Sequence, residues 1–102
     1  MRGRQADVPP ALTPSRILKR DGRLVNFDRG KIEFAVLQAG VSVGERNRKV
    51  AVAVTDDVLN QLDRGIPTVE EVQDIVEKAL VTYGHADIAK AYIIYRYEHA
   101  LK

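Results

Sequence analysis

The segment from Ile17 to Ile32 constrains the fold more than any other part of the chain, because it joins a turn signal to a helix start. The Asp21-Gly22 pair predicts a β-hairpin with a two-residue type I′ turn, in which both central residues have positive φ. Asp28 then stands where a carboxylate can cap the first turn of a helix. The segment therefore predicts a strand, a tight turn, a second strand and a helix in immediate succession.

Three cationic side chains lie at the ends of these predicted elements. Lys19 and Arg20 precede the turn, and Lys31 falls in the first turn of the helix. A hairpin folded against the helix would bring the three charges to a helix N-terminus, whose N–H groups and dipole favour a phosphate-bearing ligand. The alternative is that Lys19 and Arg20 form an ordinary solvated hairpin tip.

The composition limits the classes of protein that remain. A chain of 102 residues is long enough for one small domain with a modest core. It contains no cysteine, which excludes disulfides and thiolate chemistry and fits a cytoplasmic location. No apolar run is long enough to span a membrane, and the N-terminus lacks the apolar region of a signal peptide.

The basic charge is concentrated near the N-terminus. Arg2, Arg4 and Arg16 stand against Asp7 alone, and in the rest of the chain the charges balance to a net +2 overall. The charge therefore gives little support for a nucleic-acid partner. Residues 1–15 contain three prolines and no period, and we predict a mobile tail followed by one domain over residues 16–102.

Two helices are predicted in the first half of the domain. The first would start at Asp28 and stop at Gly40; the second would open with a Ser42–Glu45 capping box and end near Asp63. Their predicted inner faces are Ile32, Ala35, Val36 and Ala39 in the first helix, and Val50, Val54, Val58 and Leu62 in the second.

The second half predicts an extended segment and two further helices. The segment 66–68 could pair with the hairpin as a third strand, because a residue before proline avoids the α region. A Thr68–Glu71 capping box opens the third helix, which Gly84 ends. Its predicted inner stripe is Val72, Val76, Ala79 and Tyr83. The fourth helix, 86–100, is apolar on most sides and is expected to be central.

Catalytic patterns are missing from the sequence. It has neither the glycine-rich P-loop nor the Rossmann glycine motif. His85 and His99 are too isolated for a zinc site, and the two serines do not suggest a catalytic triad. The Asp56-Asp57 pair is interpreted as a solvated helix face. We therefore expect a protein that binds a ligand and is not an enzyme.

Three blocks, taken together and in order, carry a resemblance to a known family. They are Lys-Arg-Asp-Gly at 19–22 with Phe27-Asp28 and Lys31-Ile32, the Ile-Pro-Thr-Val-Glu-Glu-Val run from residue 66, and Ala-Lys-Ala-Tyr-Ile-Ile-Tyr-Arg at 89–96. The chain resembles the ATP-cone, the small nucleotide-binding domain at the N-terminus of many ribonucleotide reductase large subunits and part of the bacterial repressor of reductase genes. The resemblance covers residues 16–102.

The resemblance implies an α+β fold, a four-helix bundle capped by a small three-stranded sheet that includes the N-terminal hairpin. It also implies the contacts to a nucleotide: basic residues for the phosphates, apolar residues for the base, and a hydroxyl at the third helix. By position these are Ile17, Lys19, Arg20, Val25, Asn26, Phe27, Asp28, Lys31, Ile32, Thr68, Arg96 and His99. Alternatives remain for two of them: Thr68 as a helix cap alone, and Arg96 as a surface ion pair. Tyr92 and Tyr95 are expected in the core rather than against adenine.

The function that the resemblance implies is allosteric regulation by ATP or dATP, with Mg²⁺ as a candidate companion of the nucleotide. The implied partner is a ribonucleotide reductase or a second copy of the chain. Reductase chemistry is not expected within these residues, because that family requires cysteines and a far larger barrel. The alternative is an interaction module that has kept the fold and lost the nucleotide. A stand-alone protein and the start of a reductase are both compatible with the sequence, as are ATP and dATP.

Overall fold

The computed structural model describes residues 13–62 and 65–100. Most of the predicted tail (residues 1–15) and the predicted end of the second helix near Asp63 lie outside the described residues. Two strands and four helices follow in order, and their bounds are β1 (Arg16–Leu18), β2 (Leu24–Asn26), α1 (Arg29–Ser42), α2 (Arg48–Gln61), α3 (Val69–Thr82) and α4 (Ala86–Ala100). The predicted α+β class and the four helices are confirmed.

The helices form a ring in which each one packs against two neighbours. Helix α1 contacts α2 and α4, and helix α3 contacts the same two partners from the other side. The ring closes around a core of small and branched apolar side chains. Its buried members are Ile32, Ala35, Val36, Ala39, Ala51, Val54, Val58, Val72, Val76, Ala79, Leu80, Ile88, Ala89 and Tyr92. No helix within the described residues is long and apolar enough to cross a membrane.

The hairpin forms at the predicted place but with a different turn. Strands β1 and β2 are antiparallel, and Ile17 lies opposite Val25. The Gly22 N–H donates to the Lys19 carbonyl over 2.9 Å, Gly22 has φ +91°, and Asp21 does not have positive φ. These features describe a type I turn followed by a left-handed glycine, a three-residue loop. The predicted type I′ turn is wrong because it requires positive φ at Asp21, and Asp21 does not have it.

The predicted third strand is also wrong, since the described residues contain a sheet of two strands. The segment 66–68 meets β1 at a single parallel bridge between Leu18 and Thr68, where the Leu18 N–H donates to the Pro67 carbonyl over 2.9 Å. Pro67 has no N–H to extend the ladder, and Thr68 is already the N-cap of α3. The pairing therefore ends after one contact.

The boundary between α1 and α2 differs from the predicted one. Helix α1 continues past Gly40 to Ser42, and α2 is capped by Asn47, whose side chain accepts from the Lys49 N–H at 3.0 Å. The Ser42 hydroxyl instead donates back to the Ala39 carbonyl. Gly40 has a packing role: the Glu45 carbonyl oxygen would lie 2.5 Å from a Cβ at this position. The connecting loop folds back onto α1 only because residue 40 has no side chain.

Helix α3 begins with the predicted capping box, in which Thr68 and Glu71 exchange hydrogen bonds. Its predicted stripe is buried except for Tyr83, which lies one residue beyond the helix and is half exposed. Helix α4 has the predicted bounds but is not central. Ile93 is 46% exposed and Ile94 is 58% exposed. A ring of four helices leaves an outer face on each of them, and these two side chains fall on that face of α4.

Candidate functional site

A cleft of about 320 Å³ opens between the hairpin, the start of α1, the start of α3 and the second half of α4. Its size lies at the lower end of the range for small-molecule sites. Every residue of the predicted contact set lines it except Arg20 and Thr68. The lining residues are Ile17, Lys19, Val25, Asn26, Phe27, Asp28, Lys31, Ile32, Ala35, Val69, Val72, Gln73, Tyr92, Tyr95, Arg96 and His99.

An adjoining cleft of about 420 Å³ continues the first one toward the tip of the hairpin. Both clefts share Lys19 and Arg96, and the second adds Arg20 and Arg23 from the hairpin loop. The first cleft is rich in apolar side chains, whereas the second is lined mostly by charged ones. Together they offer an apolar compartment beside a cationic one.

The two helix N-termini near the cleft are partly satisfied by their own caps. At α1, the Asp28 carboxylate accepts from the Gly30 N–H over 2.9 Å, and the Asp28 carbonyl accepts from the Lys31 N–H over 3.1 Å. At α3, the Thr68 hydroxyl accepts from the Glu71 N–H over 3.1 Å. Thr68 thus caps its helix and lies outside the lining of both clefts. The cationic side chains are therefore more accessible to an anion than the N–H groups at the N-termini of α1 and α3.

The arginines of the site are paired with carboxylates. Arg20 Nε lies 3.2 Å from Glu70, and Arg96 Nη1 lies 3.0 Å from Asp74 and also contacts Glu77. Burial alone would lower the pKa of Arg96, but its hydrogen bonds to Glu77 and Asp74 outweigh burial and raise it. Lys19 and Lys31 form no ion pair with any described residue.

Arg23, which the prediction did not include, is held by its neighbour in the hairpin loop. Its Nε lies 2.7 Å from the Asp21 carboxylate, which also accepts from the Arg23 N–H over 3.1 Å. These hydrogen bonds lower the pKa of Asp21, which keeps that carboxyl ionised. The loop therefore adds a cation and an anion together at the mouth of the second cleft.

Aromatic rings on α4 form one wall of the first cleft. Tyr92 is 4% exposed, and burial raises the pKa of its hydroxyl, which therefore stays protonated. Tyr95 is partly buried and stacks on His99 with ring centroids 3.9 Å apart. The His99 Nδ1 lies 2.8 Å from the Tyr95 carbonyl, an acceptor, so Nδ1 carries a proton and donates. Tyr95 thus combines the predicted core packing with a place in the cleft wall.

Gln73 is the site residue that sequence reasoning missed. It lines both clefts, and its side-chain Oε1 is buried without a hydrogen-bond partner in the described structure. A buried carbonyl without a partner is unfavourable and in a native protein usually indicates a ligand or a function. The signal was present in the sequence: Gln73 shares the inner face of α3 with Val69 and Val76, where an apolar residue is expected.

A second ionic cluster lies outside the cleft and corrects an interpretation of the sequence. Asp56, expected on a solvated face, is buried, and its Oδ1 accepts from Arg29 Nη2 over 2.7 Å. Arg29 also donates to Glu33 over 2.8 Å. Burial alone would lower the pKa of Arg29, but the hydrogen bonds to Asp56 and Glu33 outweigh it and raise the pKa. The cluster joins the first turn of α1, next to Lys31, to the middle of α2.

The chemistry available in the cleft is that of binding. Cations, an unpartnered amide, aromatic rings and branched apolar side chains can hold a ligand that has both an apolar ring and an anionic group. No group of three or more possible metal ligands occurs among residues 13–62 and 65–100.

Comparison with known proteins identifies the family of the chain. The family model of the ATP cone domain matches residues 15–101. The vitamin B12-dependent ribonucleoside-diphosphate reductase of Mycobacterium tuberculosis is 41% identical over 87 residues, which are 85% of this chain and 13% of that protein. The enzyme of the same name from Thermoplasma acidophilum is 41% identical over 86 residues, 78% of this chain and 11% of the relative.

A more distant relative belongs to another class of the same enzymes. The anaerobic ribonucleoside-triphosphate reductase of Salmonella typhimurium is 30% identical over 92 residues, 89% of this chain and 13% of that enzyme. The chain spans only 11 to 13% of the length of these relatives, so it corresponds to one small domain of each. With the family model matching nearly the whole chain, it belongs to the ATP-cone family, the nucleotide-binding regulatory domains of ribonucleotide reductases, which bind ATP or dATP as effectors.

Proposed function

We propose that this chain binds ATP or dATP in the cleft between the hairpin and helices α1, α3 and α4, and that it acts as a regulatory domain without catalysis of its own. The observation that carries the proposal is the convergence of nearly all predicted contact residues on one cleft, although they come from separate parts of the chain. Arg20 lies in the adjoining cleft, which supports its assignment to the same ligand.

The apolar compartment fits an adenine base. Ile17 and Ile32 face it from the hairpin and α1, and the Tyr92 and Tyr95 rings face it from α4. The amide of Gln73 offers an acceptor and a donor, which match the 6-amino group and N7 of adenine. Adenine binding would give the buried Oε1 of Gln73 the partner that it lacks among the protein groups.

The phosphates are assigned to the cationic side chains. Lys19 and Lys31 are available because neither forms an ion pair with a described residue, and Lys31 is exposed. Arg20 and Arg96 lie at the second cleft, where a chain of phosphates would extend. Charge-assisted hydrogen bonds of this kind are worth roughly 1.5–3 kcal/mol each.

The first prediction concerns Lys31. The Lys31→Ala variant is expected to bind ATP about tenfold more weakly or worse, because it loses one charge-assisted contact. Isothermal titration calorimetry with ATP, dATP and GTP, each with and without Mg²⁺, measures the affinity. It also tests whether Mg²⁺ accompanies the nucleotide and whether the site distinguishes adenine from guanine.

The matched control is Lys49→Ala, which removes an exposed lysine from the first turn of α2, away from both clefts. It should bind ATP as the wild type does. Equal affinities of the wild type and a folded Lys31→Ala variant would show that the phosphate site is wrongly placed. A wild-type chain that binds no adenine nucleotide at all would favour the interaction module that has lost its ligand.

The output of such a domain would reach a partner. We propose a ribonucleotide reductase or a second copy of the chain, because the relatives are reductases in which the matched region is a small fraction of the length. A cytoplasmic location remains a prediction. Light scattering under saturating ATP and dATP, with and without a candidate reductase, tests the choice of partner.

A further inference from the structure

Three carboxylates on α3 stand in one row beside the cationic part of the site. Glu70, Asp74 and Glu77 follow one another at intervals of four and three residues, which places them on one face of the helix. Each forms an ion pair with an arginine: Glu70 with Arg20, and the other two with Arg96. The row therefore binds one arginine from the hairpin loop and one from α4.

The same two arginines line the cleft that is assigned to the phosphates. A guanidinium group that is hydrogen-bonded to a carboxylate has fewer N–H groups to offer another anion. Arg96 uses Nη1 for both of its partners. Together the row carries three negative charges against the two positive charges of Arg20 and Arg96, so it would also repel a polyanion in the adjacent cleft.

We propose that Glu70, Asp74 and Glu77 lower the affinity of the site by competing with the phosphates of the ligand for Arg20 and Arg96. This inference rests on the proposed nucleotide function. In the absence of nucleotide the carboxylates are the counter-ions of Arg20 and Arg96. When a triphosphate binds, its phosphates replace the carboxylates as the ion-pair partners of these arginines. Binding would then weaken one link between α3 and the hairpin and one between α3 and α4, so that occupancy of the cleft changes how these elements are joined.

If the same carboxylates help the phosphates to bind, the expected effect of removing them is the opposite. If Asp74 and Glu77 only hold Arg96 in a position that suits the phosphates, their removal weakens binding. Under competition, their removal strengthens it. A loss of general structural order also weakens binding, so a gain in affinity is an outcome that damage to the fold does not produce.

The test is calorimetric titration of ATP into the wild type and into the double variant Asp74→Asn/Glu77→Gln. Asp74 is largely exposed, whereas Arg96 and Glu77 are partly buried, and we expect the dissociation constant of the variant to fall about three- to tenfold. The control is Glu45→Gln/Asp57→Asn, which makes the same change in net charge on residues that line neither cleft. Its affinity for ATP should stay within about twofold of the wild type.

A second arm tests whether the gain acts through Arg96. In an Arg96→Gln background, the Asp74→Asn/Glu77→Gln changes should raise ATP affinity by less than they do in the wild-type background, because only the repulsion of the phosphates is relieved and the contested guanidinium is gone. Circular dichroism and thermal melting verify that each variant is folded. If the double variant does not fold, Glu70→Gln provides the same test at Arg20, because both side chains of this pair are partly open to solvent.

Unchanged or weaker ATP binding by a folded double variant would overturn the competition. A gain of the same size in the control, or in the Arg96→Gln background, would overturn it as well. Failure of the proposed function is a separate result: the wild type itself would then bind no adenine nucleotide, and the inference would fail with it.

Discussion

At the scale of single residues, two adjacent aspartates show how far environment determines the role of a side chain. Asp56 is buried and its carboxylate accepts a hydrogen bond from Arg29, whereas Asp57 is partly exposed and, among the described residues, accepts from Gln61, one turn along the same helix. The sequence gives no means of separating them, because the partner of Asp56 lies 27 residues away on another helix. Pairing across helices becomes visible only once the helices are packed.

The difference predicts unequal effects on stability. Asp56→Ala leaves the partly buried Arg29 guanidinium with Glu33 as its remaining carboxylate partner among the described residues. It should lower the free energy of unfolding by about 1–3 kcal/mol, below the range for fully buried pairs because Arg29 is one-third exposed and keeps Glu33. Asp57→Ala should change it by less than about 0.5 kcal/mol. Urea unfolding of both variants measures the two values. Equal losses would mean that the Arg29–Asp56 pair contributes no more than a surface contact.

At the scale of elements, helix α4 illustrates what an apolar sequence does and does not imply. Ile88, Ala89 and Tyr92 are buried between α1 and α3, whereas Ile93 and Ile94 are exposed about as far as an ordinary surface residue. The run of apolar residues, which covers most sides of the helix, suggested that it was central. The burial of α4 depends on how many helices pack against it, and in this ring each helix packs against two others.

Matched substitutions in α4 test this arrangement. Ile88→Ala removes a side chain that is 2% exposed and should lower the free energy of unfolding by about 2–5 kcal/mol. Ile94→Ala removes the same atoms from a position that is 58% exposed and should cost less than about 1 kcal/mol. Chemical denaturation of the two variants compares them directly. Similar large losses would indicate that the outer face of α4 is covered, for instance in a self-associated form.

The caps explain which element boundaries could be predicted. The Thr68–Glu71 box and the Asp28 cap were found from the sequence because their partners lie within three residues. The Ser42–Glu45 box was also predicted, from a less clear pattern, and did not form. There the loop packs back against Gly40, and Asn47 provides a competing cap nearer to the helix. Local chemistry identified the candidates, and tertiary contacts chose among them.

At the scale of the whole molecule, the cleft is assembled from segments that are distant in sequence. The resemblance to a family located most of its lining, while spacing alone suggested only the cations at 19, 20 and 31. The two tyrosines entered the site through packing of α3 against α4, which no local pattern reports, whereas Gln73 is marked in the sequence as a polar residue on the inner face of α3. A ligand that contacts all of these segments will bind the folded state and not the unfolded chain.

This selectivity predicts a concentration-dependent increase in melting temperature. At a nucleotide concentration about 100 times the dissociation constant, the native state gains about 2.7 kcal/mol. For a domain of this size, that gain corresponds to roughly 10 °C or more. Differential scanning calorimetry over a series of ATP and dATP concentrations measures the increase, and Lys31→Ala should reduce it at equal concentration. Melting curves that do not respond to millimolar ATP or dATP would contradict nucleotide binding.

The hairpin that borders the cleft has little support of its own. Two strands of three residues are marginal in isolation. Beyond their mutual pairing, the one β-bridge that ties the backbone of β1 to the described part of the bundle runs from Leu18 to the 67–68 segment. Such an element opens locally at a smaller free-energy cost than the helices do. The measured affinity is then the intrinsic affinity multiplied by the fraction of time that the hairpin is closed. The strength of one short β-bridge thereby becomes a means of tuning the response of the domain to nucleotide without changing any residue that touches the ligand.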